Sequence, residues 1–411
     1  MRAKGTVRSL LAGILALTFL GFSPLSVSAA AAAPAAPAKS PRFTIEIRPE
    51  MELLAGVLAQ TSWINERGPS GQGNEYFRAL KDFFAPFKGH RAVKIAEDLT
   101  RAGFVYDAPP AFIAHLGPLP DLEVKYEYSD YLVGRAHGRE KLEDFRLALR
   151  DLASESHFGE FITNRQGSFD EWVAASSFDG DVVLDWLEAF FGSKAGEYHV
   201  ILAPAMFPQG GYGAMISGPG GEKIVYQIVR ENGQSETIPS FPPSANLKGL
   251  SLHEWGHSFV NPALEKHGEE ASALERLYRP VAKRMTSMAY GALPIFLNEQ
   301  VLRATNCLAA QDLLGRMADR TALQQEREGF YLTSDVIKIL REYTQNRDKY
   351  PDFESFVPRL LERMSALPSK TDRIVRSWLK FGAVLITLGV FATAVIREVK
   401  KGKAGLAKPH A

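Results

Sequence analysis

Cysteine is almost absent: Cys307 is the only one in the chain. A lone thiol cannot close an intrachain disulfide or supply a cysteine-rich metal site, so histidine and carboxylate are the ligands left for a metal. An excess of one charge is missing too. The 411 residues include 48 Lys and Arg against 47 Asp and Glu, a formal net charge of +1. Phosphate-driven nucleic-acid binding normally shows a basic surplus, so no nucleic-acid partner is expected. Neither a GxGxxG nor a GK[ST] phosphate loop occurs, and no long repeat is visible. Disorder is not indicated either, because 23% charged and 45% hydrophobic residues are ordinary globular values. At roughly 150 residues per domain, the length suggests two or three domains.

Long apolar runs are confined to the two ends. Arg2, Lys4 and Arg8 precede the uncharged stretch Leu10 to Phe22, and Val27-Ser28-Ala29 has the small-x-small cleavage pattern. Residues 1–29 therefore predict a signal peptide and export, with 30–41 as an Ala/Pro-rich linker. The second run covers residues 378–396, about 19 residues interrupted only by Lys380. Roughly 20 are needed to cross the hydrocarbon core, so a membrane anchor is expected. Trp378 suits an interfacial belt, and Arg397, Lys400, Lys401 and Lys403 begin a basic tail over 397–411. An exported chain held this way keeps its body outside the cytoplasmic membrane; without the anchor it would be secreted or periplasmic.

Between these ends the periodicity reads as α+β, mostly helical with a small, mainly antiparallel sheet. Phe43 to Ile47 alternates as a strand. Met51 to Gln60, Tyr76 to Phe87, Ala92 to Ala102, His137 to Ser154 and Asp181 to Phe191 show apolar residues at helical spacing, the last stopped by Gly192. Lys125 to Leu132 reads as a short strand. Tyr198 to Ala203, the glycine-rich Gly210 to Ile216, and Lys223 to Arg230 read as a three-strand meander with turns between them. From Leu247 to about Met364 the chain is helical again.

One motif carries chemistry. His253-Glu254-Trp255-Gly256-His257 is an HExxH sequence. On a helix, positions four apart share a face, so His253 and His257 can hold one tetrahedral zinc ion. Glu254 then flanks that face, where a carboxylate can take a proton from an attacking water. Trp255 and Phe259 would pack the opposite side into the core, and Asn261-Pro262 would end the helix. His90, His115, His137, His157 and His199 have no ligand spacing. Cys307 reads as a small core residue.

A third ligand is needed. Position 263 is Ala263 and position 277 is Leu277, which excludes a histidine six residues after His257 and a carboxylate twenty residues after it. Glu299 is preferred. Pro294 fits a helix start, and Ile295, Phe296 and Leu302 place Glu299 on an apolar face where an unpaired carboxylate is costly. Glu270, Glu275 and a plain salt bridge from Glu299 to Arg303 remain the competing assignments.

Asn298-Glu299 resembles the third-ligand segment of the glutamate zincins. The stretch His253 to Pro262, together with Phe83-Phe84, Lys88-Gly89-His90 and Tyr106-Asp107-Ala108-Pro109, resembles a bacterial secreted zincin family filed as a domain of unknown function. That resemblance covers most of Phe43 to about Leu367. It implies a helical N-terminal subdomain over 42–195 and a zincin-like catalytic region over 196–367, with one zinc ion per chain. The acidic residue that glutamate zincins carry four positions after the third ligand is replaced by Arg303, which leaves the partner of His253 open.

The function expected is a zinc-dependent hydrolase, with a peptidase acting on a peptide or protein substrate as the preferred kind and Glu254 as general base; a catalytically inactive zincin-like binding or signalling module is the alternative. Gly211, Tyr212 and Gly213 are the expected substrate-binding edge, since zinc peptidases commonly add an extended substrate as a strand. Tyr290, Tyr331 and His267 are the candidates for stabilising an oxyanion.

Overall fold

The computed structural model describes residues 42–67, 73–206, 211–231, 238–242, 244–288 and 290–405. The signal peptide and the linker expected over 1–41 lie outside these residues, as does the end of the basic tail.

Four strands form one mixed sheet: β1 (Phe43–Glu46), β2 (Glu197–Ala203), β3 (Gly211–Ser217) and β4 (Lys223–Arg230), in the order β1-β2-β4-β3. β1 pairs parallel with β2, β2 pairs parallel with β4, and only β3 runs antiparallel, against β4. The expected antiparallel meander is thus corrected. Alternation and turn signals locate strands but do not choose their neighbours. Burial makes that choice. Ile224 to Val229 of β4 are all buried, which suits a central strand covered on both faces. β3 carries two glycines and alternates with exposed residues, which suits an edge.

Helices cover both faces of the sheet. Ile224, Tyr226 and Ile228 point into a core made with the helices of residues 49–175, while Val225 and Val229 point into a second core. This follows from the two-residue period of a strand. The second core contains the HExxH helix (Ser244–Glu265), called the motif helix below, and Leu293–Leu314, the ligand helix. Phe43 of β1 and the helix Asp181–Phe191 also belong to this second core, so the chain crosses between the two. Gly192 closes that helix in the left-handed conformation, with φ of 67°.

Two local expectations are corrected. Lys125 to Leu132 is not a strand: Val124 makes only an isolated bridge to Leu116, and Asp130–Ala136 is helical. Ser129 caps that helix by accepting from the Leu132 amide, so the capping signal overrides the apolar alternation. The motif helix does not stop at Asn261-Pro262 but continues through Pro262 to Glu265. Proline cannot donate to the Ser258 carbonyl; Lys223 Nζ approaches that oxygen at 3.3 Å instead.

Among the described residues, one helix is long and apolar enough to cross a membrane, and it lies at the C-terminus. The helix Lys370–Gly405 exposes Ile386, Val390 and Phe391 instead of packing them on the body.

The N-terminal core holds one costly group. Glu52 is fully buried, and neither of its oxygens has a well-formed hydrogen bond. Burial pushes its carboxyl up to about 8, with Tyr76 and the Ala205 backbone only partly opposing the shift. The unfolded group titrates near about 4.3. Between these values the folded state binds the extra proton, so this contribution to stability is complete at low pH and is lost as pH rises through about 8. Glu52→Gln should therefore raise the Tm relative to wild type at pH 8, by the equivalent of about 5 kcal/mol, and change it little at pH 4. Parallel thermal melts at the two pH values check this; a constant difference would refute it.

Candidate metal centre

The motif helix forms because its apolar residues recur at helical spacing. Leu247, Leu250, Trp255, Phe259 and Ala263 are buried in the second core. Trp255 meets Phe43 edge-on with ring centroids 5.3 Å apart, and Phe259 stacks on Phe191 at 4.7 Å. These contacts turn His253 and His257 toward the ligand helix. The two helices approach closely at Gly256, where a Cβ would lie 2.5 Å from Leu302 Cδ1. The ligand helix begins with Pro294 in its first turn and ends at Gly315 in the left-handed conformation.

That crossing brings His253, His257 and Glu299 together. Their ligand atoms all lie within 4.8 Å of one another, and all three residues are buried. Glu299 Oε1 is 3.2 Å from His257 Nε2 and 3.6 Å from His253 Nε2. None of these three atoms forms a proper hydrogen bond among the described residues. Two imidazole nitrogens and one carboxylate oxygen, converging and unsatisfied, are a donor set that can hold a metal ion.

The three candidate ligands are oriented from behind. His257 Nδ1 is 3.0 Å from Asn261 Oδ1, and His253 Nδ1 is 2.8 Å from the Asn306 amide. Arg303 Nε donates to Glu299 Oε2 at 3.0 Å. The salt bridge from Glu299 to Arg303 and the metal group therefore coexist, each using one carboxylate oxygen. Burial opposes the charge on Glu299, but His253, His257 and Arg303 hold its pKa well below the usual carboxylate range. Burial lowers His253 to about 4, which keeps its imidazole neutral. Burial opposes protonation of His257 too, yet the closer Glu299 carboxylate raises its pKa overall.

Glu254 is buried beside this group, and neither of its oxygens has a partner among the described residues. Burial pushes it up to about 7, offset in part by His257. β3 runs past it. A Cβ on Gly213 would lie 3.2 Å from Glu254 Oε2, so glycine leaves the carboxylate its space. Tyr212 points the other way, with its ring buried in the N-terminal core.

Two cavities flank the histidines. One, of about 240 Å³, is lined by Gly213 to Met215, Glu254, His257, Asn261 and Asp107. The other, of about 280 Å³, is mainly apolar and is lined by Leu250, Leu252, His253, Arg303, Asn306 and Leu313. Cys307 also lines it as a buried free thiol.

The remaining sequence candidates separate clearly. Tyr290 reaches the site through Arg303, whose Nη2 donates to its hydroxyl at 3.2 Å. Tyr331 instead donates its hydroxyl to the Leu277 carbonyl at 2.7 Å, a structural bond. His267 faces Glu270 at 3.7 Å, and Glu275 pairs with Arg279; none of these four joins the metal group. Asn261 and Asn306 escaped the sequence reading. Their signal was spacing: Asn261 lies four residues after His257, while Arg303 and Asn306 lie four and seven after Glu299.

Residues 44–363 match the model of the family described as Domain of unknown function (DUF4932). No curated protein matches the chain, and no solved structure matches it. The matched stretch contains all of the sheet except Phe43, the motif helix and the ligand helix, and ends before the C-terminal apolar helix. With most of its length covered, the chain belongs to the DUF4932 family.

Proposed function

We propose that the protein is a zinc-dependent peptidase that works outside the cytoplasmic membrane. The observation that carries this reading is the convergence of three ligand atoms, from His253, His257 and Glu299, beside a fourth buried group, Glu254, all of them without hydrogen-bond partners among the described residues. Two imidazoles and one carboxylate, without sulfur, suit a catalytic zinc, for which three protein ligands and an open position are usual. When bound, zinc supplies Lewis-acid chemistry, acidifying water and polarising a carbonyl.

The chain's own residues supply the rest. Glu254 accepts the proton of the attacking water at its carboxylate and passes it to the leaving amine. A pKa raised to about 7 by burial suits both halves of that transfer at neutral pH. β3 is an edge strand, so its outer backbone groups can pair with an extended peptide, and the two glycines bring that backbone close to Glu254. The apolar cavity beside His253, of about 280 Å³, is large enough to take an apolar side chain of the substrate. Tyr290 and Arg303 are the polar groups nearest the ligands that remain to steady developing negative charge.

Export followed by anchoring through the apolar C-terminal helix fits its exposed side chains, because a soluble body would bury them.

Three outcomes are expected. Glu254→Gln should keep one zinc per chain and the fold while lowering turnover of a peptide library by at least about a hundredfold; wild-type cleavage by this variant would refute the mechanism. Glu299→Ala should lose zinc in metal analysis, whereas Glu270→Ala and Glu275→Ala should keep it. Alkaline carbonate should leave the full-length protein in the membrane pellet, and release into the supernatant would reject the anchor.

A further inference from the structure

Metal-binding imidazoles commonly give their second N–H to a carboxylate or a main-chain carbonyl, which strengthens them as donors. Here the partners are neutral side-chain amides, Asn306 for His253 and Asn261 for His257. Ligation through Nε2 leaves the proton on Nδ1. The Asn306 amide, turned to present Oδ1 to that proton, satisfies an oxygen that otherwise has no partner among the described residues.

The third ligand faces a cation. Arg303 takes Glu299 Oε2 at 3.0 Å and leaves only Oε1 toward the histidines. Arg303 cannot easily swing away, because Glu328 holds it at 3.3 Å, Tyr290 accepts from it at 3.2 Å, and its guanidinium lies 4.0 Å over the Phe330 ring. The carboxylate is thereby kept to one oxygen.

We propose that Arg303 and Asn306 set the strength and the selectivity of this metal site. The inference rests on reading His253, His257 and Glu299 as ligands. A guanidinium on the carboxylate withdraws donor strength, and amide oxygens lend the imidazoles less of it than carboxylates would, so an ion is held more loosely and keeps more of its positive charge. One-oxygen ligation favours a small ion satisfied by four ligands, such as zinc, over manganese, which prefers more oxygen donors. The site is a weak, electrophilic and zinc-selective one by construction of its surroundings.

The test needs no substrate. Metal-free full-length protein in detergent is titrated with Zn2+ and separately with Mn2+, as wild type, Asn306→Asp and Arg303→Gln, with affinity read by competition against a chromophoric chelator. Asn306→Asp should bind Zn2+ about 10–100-fold more tightly. Arg303→Gln should narrow the preference for zinc over manganese by about tenfold, since it frees the second carboxylate oxygen. Unchanged or weaker zinc binding in Asn306→Asp overturns the proposal, as does an unchanged preference in a folded Arg303→Gln. Should circular dichroism show that Arg303→Gln does not fold, Asn306→Asp decides alone. A wild-type protein that binds neither ion overturns the ligand assignment itself, whereas binding by wild type with no shift in the variants overturns only the roles of Arg303 and Asn306.

Discussion

A carboxylate held away from water is the constraint around which the second core is arranged. Glu299 has no exposed surface, and an isolated buried charge costs several kcal/mol unless it is paired. Arg303 neutralises one of its oxygens, and the two imidazoles face the other. That pairing requires the motif helix and the ligand helix to lie in near contact. Gly256 permits the approach by offering no Cβ against Leu302, and Trp255 and Phe259 secure the far side of the motif helix in aromatic packing. A larger residue at 256 would separate the helices and strand the charge, so the glycine is as much a part of the metal group as the ligands are.

The elements recognisable beforehand were those written in local periodicity. The helices over Ala92 to Ala102 and Asp181 to Phe191, the strand Lys223 to Arg230 and the Gly192 stop all lie within a residue or so of where spacing placed them. The i, i+4 pair of histidines was readable for the same reason. Sheet order was not, because it is decided by burial on both faces of β4 and by the parallel pairing of β2 with β4, neither of which leaves a local trace. Pro262 misled for a related reason. Its missing hydrogen bond is relieved by Lys223, a residue remote in sequence. Glu299 stood out through its apolar neighbours, but Asn306 did not, since an asparagine in a helix gains meaning only once His253 is known to face it.

The electrostatics of the group are uneven in a useful way. His253 and His257 are the same residue type one helical turn apart, yet burial drives the first down while the nearer Glu299 raises the second. Glu254, equally buried but without a direct cationic partner, moves in the opposite direction to Glu299. Two carboxylates within one site are thus separated by their surroundings, one fixed as an anion and the other near the point of exchanging a proton. Such a split is a difference of surroundings alone, since the two groups are identical in composition.

The strand beside Glu254 ties that chemistry to the far side of the molecule. β3 sends Tyr212 and Ile216 into the N-terminal core, and it lays Gly211 and Gly213 against the Glu254 carboxylate on the other face. Its position is therefore set in part by the helices of the N-terminal core, one of which begins beside Asp107 in the cavity that His257 also lines. The same core buries Glu52 close to Ala205, at the end of the segment described before β3 begins. Because protein interiors are densely packed, a change of volume or charge there bears on the segment that leads toward β3. The spacing between the β3 backbone and Glu254 thus depends on both cores, because one strand is packed into the N-terminal core through Tyr212 and Ile216 and lies against Glu254 through Gly211 and Gly213.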